Sequence, residues 1–197
     1  RLTESMPAVP TDAYGLAHTA NEAYLAECAY ELGADVTILR LANLAGPDPF
    51  FGFRTKIAFA HELVEMALLD RSIVLRSPPS TPRNMLPGSL FHHDIGTVLD
   101  RRSVEGRVDI FNLGSGSTST MIGLAREIAV VAEGHHGDLV YIDHPEESAS
   151  QTQFHLDTTK IRRVAGVGVD DLASELSMIL QDIAAIHDPI STRGKPT

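Results

Sequence analysis

Tyr14 and His18 stand four residues apart in the stretch PTDAYGLAHTANEAYL, residues 10–25. On a helix, positions i and i+4 share one face, so both side chains can enter one cleft. A phenol titrates near pH 10, and proton transfer near neutrality requires a cation beside it to favour the phenolate. Position 18 is where that cation would sit, and imidazole, only partly charged near neutrality, is a weak form of it. The pair is a candidate acid/base site, set against the plainer reading of an aromatic and a histidine in the first turns of a helix.

Other residues invite chemistry less directly. Asn43 leaves the carboxyl end of an apolar run, the place where ligands of open α/β sheets bind. Arg83, in STPRNML, offers a planar fork suited to the oxygens of a diphosphate, a part Arg54 or Arg76 could also play. The turn GSGSTS, residues 114–119, lacks the lysine of a phosphate-binding loop and reads as a strand-to-helix turn with Ser117 or Thr118 as cap. The clusters HHD at 92–94 and HHGD at 135–138 match no zinc spacing, so no metal site is expected. Cys28 lies mid-helix with no base beside it in sequence and reads as a small core residue.

The elements that would carry these residues alternate. A helix is expected from Asp12 or Ala13 to Leu32 with Gly33 as its stop, then a strand over 35–41 buried on both faces. A helix over 53–71, a strand over 72–76, a proline-rich loop and a helix over 93–102 follow. A strand over 107–113, the GSGSTS turn, a helix over 120–133 and a strand over 138–143 come next. A short helix opens at Asp157, a last helix covers 169–187, and 188–197 reads as a loose tail. Strands alternating with helices make the fold class α/β.

Composition narrows the function classes. The 197 residues carry 43% apolar and 21% charged residues, as an ordinary globular domain does, and no apolar run is long enough to cross a bilayer. A formal charge of -10 with 16 scattered Lys and Arg argues against a nucleic-acid surface but leaves room for a small anion. One cysteine and no recognisable signal peptide fit a reducing, cytoplasmic location. The opening RLTESMPAVP starts at Arg1 and reads as a loop entered midway, so a fragment or processed product is expected.

Five blocks, in order, resemble the extended short-chain dehydrogenase/reductase family, the branch containing nucleotide-sugar epimerases and dehydratases. TESMPAVPTDAYGLAHTANE is similar to that family's tyrosine block, LRLANLAGP to its next strand and loop, and FHHDIGTVLD to its hVDD block. DIFNLGSGSTST and HLDTTKIRRVAG resemble the two blocks that follow. The resemblance implies the carboxyl-terminal portion of a Rossmann-type parallel sheet plus a smaller substrate-binding domain. Residues 1–52 would be the remnant of the Rossmann-type domain and 53–187 the substrate domain, with about 88–112 returning to the sheet.

The resemblance further implies NAD or NADP as cofactor and a nucleotide sugar as substrate, with Tyr14 relaying a proton during hydride transfer at a sugar carbon. Tyr14, His18 and Ala42 would face the cofactor, while Asn43 and Arg83 would hold the substrate. A homodimer through the tyrosine-bearing helix is also implied. Two departures matter. The family's glycine-rich dinucleotide fingerprint does not occur in the sequence, and His18 stands where the family has lysine. The alternatives are a degenerate, non-catalytic ligand-binding or interaction protein of the same fold, and a reductase of a non-sugar carbonyl compound.

Overall fold

The computed structural model describes residues 1–48, 58–101, 107–146 and 154–187. Helix α1, Ala13–Leu32, opens where Asp12 Oδ1 accepts the Gly15 N–H at 2.7 Å. It stops at Gly33, whose φ of 63° is left-handed and costs glycine nothing. Both bounds are the expected ones. After α1 come β1, Val36–Leu41, and β2, Asn43–Ala45. Helix α2, Phe59–Glu65, runs into a π-helical turn, Met66–Asp70. Then follow β3, Ser72–Val74; β4, Pro82–Arg83; β5, Met85–Pro87; and α3, Gly88–Leu99. The chain continues through β6, Val108–Leu113; β7, Ser119–Thr120; α4, Met121–His136; and β8, Tyr141–Asp143. Helices α5, Thr159–Ala165, and α6, Leu172–His187, complete the described elements.

The strands associate in four pairs. β1 lies parallel to β6, with Val36 opposite Val108 and Leu41 opposite Leu113. β2 lies parallel to β5 and β3 to β8, while β4 and β7 are antiparallel. Parallel pairs need helical crossovers, and the helices pack accordingly into two apolar cores. The larger core joins α2, α4 and α6 through Leu63, Val64, Leu124, Ile128, Leu176 and Ile179. The smaller sets Leu90 of α3 and Ile161 of α5 against Phe111 and Leu113 of β6. Each such side chain contributes about 1.5–3 kcal/mol on burial. Inside the smaller core the fully buried Asp94 of α3 pairs with Arg162 of α5. Burial pushes the Asp94 carboxyl up, and the neighbouring guanidinium opposes that shift.

Several expectations need correction. β1 is not buried on both faces: Ile38 is buried, whereas Leu41 is 48% exposed. Among the described residues β6 is its one strand partner, and Leu39 packs on the smaller core while Leu41 stays in the open. The proline-rich loop contains two short strands, β4 and β5, and α3 begins at Gly88, five residues before the expected His93. Thr120, not Ser117 or Thr118, caps α4 by accepting the Gly123 N–H at 3.1 Å. Thr158 holds the cap position of α5, and Asp157 instead accepts the Thr159 N–H. The start of the helix expected over 53–71, with Arg54, and the expected tail lie outside the described residues, as does the 52/53 boundary.

Candidate active-site cleft

A cleft of about 620 Å³ opens where α1, the end of β1 and the segment preceding α1 meet. His18 reaches it from α1, Ala42 from the connection between β1 and β2, Asn43 from the start of β2, and Asn84 from the connection between β4 and β5. Pro7 and Pro10, in the non-helical segment before α1, line its side. Three of the five sequence-predicted residues, His18, Ala42 and Asn43, therefore share one cavity.

Tyr14 touches that cavity only through His18. The two rings make an edge contact with centroids 4.4 Å apart and planes at 61°, as the i to i+4 spacing requires. Tyr14 itself is 74% exposed and lies outside the cleft lining. Asn43 is fixed more tightly. Its backbone N–H and its side-chain amide both donate to the Asn84 carbonyl, at 3.2 and 3.1 Å. Ala42 is held by its N–H donating to the Leu113 carbonyl at 2.8 Å, which continues the β1–β6 ladder.

Arg83 does not enter the cleft. It sits half-buried on β4 between two smaller cavities of about 140 and 180 Å³, with its guanidinium 5.8 Å from the Phe59 ring centroid. Burial pushes this guanidinium below its ordinary value. Its Nη1 donates to the Pro82 carbonyl, and among the described residues no carboxylate forms an ion pair with it. Arg76 lines the larger of the two cavities but is paired with Glu62 at 2.8 Å.

Three residues that hold the site were not singled out from the sequence. Arg40 of β1 grips Glu22 of α1 through contacts of 2.7, 3.0 and 3.3 Å, and its Nη1 donates to the Glu4 carbonyl. Hydrogen bonding to Glu22 raises the Arg40 pKa. Asn84, 2% exposed, accepts the Ser115 N–H and donates to the Ser115 and Ser117 carbonyls, and thereby holds the GSGSTS turn. Glu22 sits one helical turn beyond His18, a spacing that could have flagged it. Nothing in the sequence paired Asn84 with residues about thirty positions away.

Among the described residues no three His, Cys, Asp or Glu side chains converge as a metal site, and no helix is long and apolar enough to cross a membrane.

No protein-family model matches the sequence, and no curated protein matches it. Solved structures do. UDP-N-acetylglucosamine 4-epimerase from Methanobrevibacter ruminantium M1, in complex with UDP-N-acetylmuramic acid, superposes with a TM-score of 0.77 at 17% identity. UDP-glucuronic acid 4-epimerase from Bacillus cereus, in complex with UDP-glucuronic acid and NAD, gives 0.73 at 16%. RMD from Pseudomonas aeruginosa, complexed with NADPH, gives 0.73 at 17%. Each match covers 94% of this chain but only 57%, 57% and 59% of the other. What is shared at this identity is the fold: an α/β arrangement with parallel strands that spans somewhat over half the length of these enzymes.

Proposed function

We propose that this chain is the part of an NAD(P)-dependent nucleotide-sugar epimerase, dehydratase or reductase that carries the proton-relaying tyrosine and the sugar-nucleotide contacts. The carrying observation is the convergence of His18, Ala42 and Asn43 on one cleft, in a fold shared with UDP-sugar 4-epimerases. The edge contact of Tyr14 on His18, which lines that cleft, supports the pairing of phenol and imidazole. The five family-like sequence blocks support the same assignment to the extended short-chain dehydrogenase/reductase family.

The residues present fit one side of a dinucleotide only. Ala42, with its small side chain, and His18 line the cavity beside β1, whereas no glycine-rich fingerprint for a pyrophosphate occurs in the sequence. Bound there, a nicotinamide would supply hydride acceptance and return at a sugar carbon. Tyr14 takes the proton from the sugar hydroxyl and returns it, and His18 orients the phenol and reaches a ribose hydroxyl. Asn43 holds the substrate beside the cleft floor. Arg83 neutralises the diphosphate, which its burial without a carboxylate partner among the described residues supports. The start of α3 at Gly88 also brings Arg83 within five residues of the helix that follows it.

The presence of two separate cores supports a division into a sheet-bearing part and a substrate part, although Ala45 joins the larger core and Ile161 the Phe111 cluster. The exposed Leu16, Tyr24, Leu25 and Tyr30 of α1 support a homodimer through that helix. A second reading, a relative that binds without turnover, is favoured by the exposure of Tyr14 and the histidine at position 18.

Calorimetric titration of the chain with UDP-glucose, UDP and a hydrophobic ketone tests the proposal. Binding of UDP-glucose and UDP but not the ketone is expected. Binding of the ketone alone would overturn the sugar-nucleotide assignment, and binding of none would overturn the site.

A further inference from the structure

We propose that Glu175 is a positioning residue for the cleft, acting from the far side of the β2–β5 pair. The proposal rests on the reading of Asn43 as a ligand contact. Glu175, on α6, is 2% exposed, and a carboxylate is costly to remove from water unless hydrogen bonds or a countercharge replace the solvent. Among the described residues no arginine or lysine pairs with it. The start of α3 does the compensating. Oε1 accepts the Ser89 N–H at 2.6 Å, and the positive end of a helix dipole favours a carboxylate. Pro87, at the cap position of α3, has no side-chain acceptor of its own. Glu175 is therefore the cap of α3, supplied from a helix 86 residues away in sequence.

The second carboxylate oxygen closes a junction. A Cβ added to Gly46 or to Gly88 would lie 3.2 Å from Oε2, and one on Gly46 would lie 3.3 Å from the Gly88 Cα. These glycines directly follow Ala45 and Pro87, the last paired residues of β2 and β5. The opposite end of this three-residue ribbon carries Asn43 opposite Met85, next to Asn84. With so few ladder bonds, closure at Gly46 and Gly88 governs the register at Asn43. Glu175 does this without touching a ligand. It lines a separate cavity of about 570 Å³ that shares no lining residue with the cleft.

Amide hydrogen exchange by NMR on the whole chain, joined to titration with UDP-glucose, tests the proposal with Glu175→Ala, Glu175→Asp and Glu175→Gln. Loss of the acceptor speeds exchange at Ser89 and at Asn43 by about tenfold or more and weakens UDP-glucose by about tenfold, while Ile128 in α4 keeps its rate. Asp, which keeps the charge but not the reach, follows Ala. Gln keeps an acceptor oxygen and restores both readouts to within about threefold of wild type. Faster exchange at Ser89 alone, or an equal acceleration at Ile128, would mean a merely structural cap and overturn the proposal. If the unmodified chain does not bind UDP-glucose, the functional reading fails. The Asn43 exchange rate still decides the role of Glu175.

Discussion

Arg40 Nη2 lies 2.7 Å from Glu22 Oε2, and this contact ties the strand that ends at the cleft to the helix that brings His18 into it. Both side chains are about three-quarters buried, at 25% and 23% exposure, so the pair is neither a solvated surface contact nor a core charge. A fork-to-carboxylate geometry is worth more than a point contact because two N–H groups act together. Glu22→Ala is expected to cost about 1–3 kcal/mol, since it strands a guanidinium that still has to satisfy the Glu4 carbonyl. Arg40→Lys keeps the charge and loses the fork, so it should recover only part of the loss. Denaturant midpoints on both variants check this; a change below about 0.5 kcal/mol for Glu22→Ala would place the pair among ordinary surface bridges.

Asn84 offers a sharper test, because its side chain satisfies a turn rather than a partner side chain. Asn84→Ala leaves the Ser115 N–H and the Ser115 and Ser117 carbonyls without their partner in a buried setting. A loss of about 2–4 kcal/mol is expected. Gly114→Ala approaches the same contact from the other side, since the added Cβ would lie 2.5 Å from Asn84 Oδ1 and 2.6 Å from Leu156 Cδ2. Overpacking of this kind costs about 1–3 kcal/mol. The two effects share one contact, so the double variant should lose less than their sum. Strict additivity in urea unfolding would show that Asn84 and Gly114 act independently.

How much of this was legible in the sequence follows from how local each cause is. The bounds of α1 were readable because Asp12 and Gly33 act within a few residues of themselves. The β1–β6 strands were readable as apolar β-branched runs, though not their one-sided burial, which depends on what else packs there. The start of α3 was missed because a Pro-Gly pair looks like a loop, and the acceptor that lets a helix begin there is Glu175, far along the chain. The cap of α4 was misplaced for a related reason. Asn84 holds the turn through the Ser115 and Ser117 carbonyls, β7 then runs on through Thr120, and α4 starts only at Met121, so the cap position falls on Thr120. His18, Ala42 and Asn43 line one cleft. Arg83 did not join them, because β4 turns it toward Phe59.

The pH dependence of stability has a defined sign. A hydrogen bond from Arg1, with others from Thr159, holds the Asp157 carboxyl well below the ordinary carboxylate range. Asp171 is held down by Ser174 in the same way. A carboxyl lowered on folding binds its proton more readily in the unfolded chain. Its contribution is therefore full above about pH 4 and is lost as pH falls through the folded value. Burial moves Asp94 the opposite way, so its contribution declines as pH rises past about 4. Asp157→Asn should flatten the rise in stability expected of the wild type as pH climbs toward about 4, measured as urea midpoints at each pH. An unchanged slope would mean that Arg1 is not engaged in solution.

Arg83 separates binding from stability. Its guanidinium is depressed by burial and has no carboxylate ion pair among the described residues, so the folded chain bears a desolvation cost without a matching charge. Arg83→Met keeps much of the contact with Phe59 and removes the charge. Thermal stability should hold or rise slightly, while affinity for UDP falls by about tenfold to a hundredfold, the range for a charge-assisted phosphate contact. Calorimetry on the variant decides it: a stable protein that binds UDP as tightly as before would take Arg83 out of the diphosphate site and return the part to Arg54 or Arg76.

The remaining prediction concerns position 18, where the proposed chemistry is most exposed to disproof. An ammonium is a full, compact positive charge on a long stem, which an imidazole is not. The ring beside Tyr14 at 4.4 Å is the group placed to favour a phenolate. Lysine at the same place brings the full charge, and its longer stem reaches further toward a ribose hydroxyl. His18→Lys is therefore expected to raise turnover of UDP-glucose by about tenfold, in an assembly that includes a dinucleotide-binding half. Tyr14→Phe should abolish the activity of both forms. A lysine variant that is equal or slower at every pH would show that His18 does not act through charge on Tyr14, and would favour the reading in which the cleft binds without turnover.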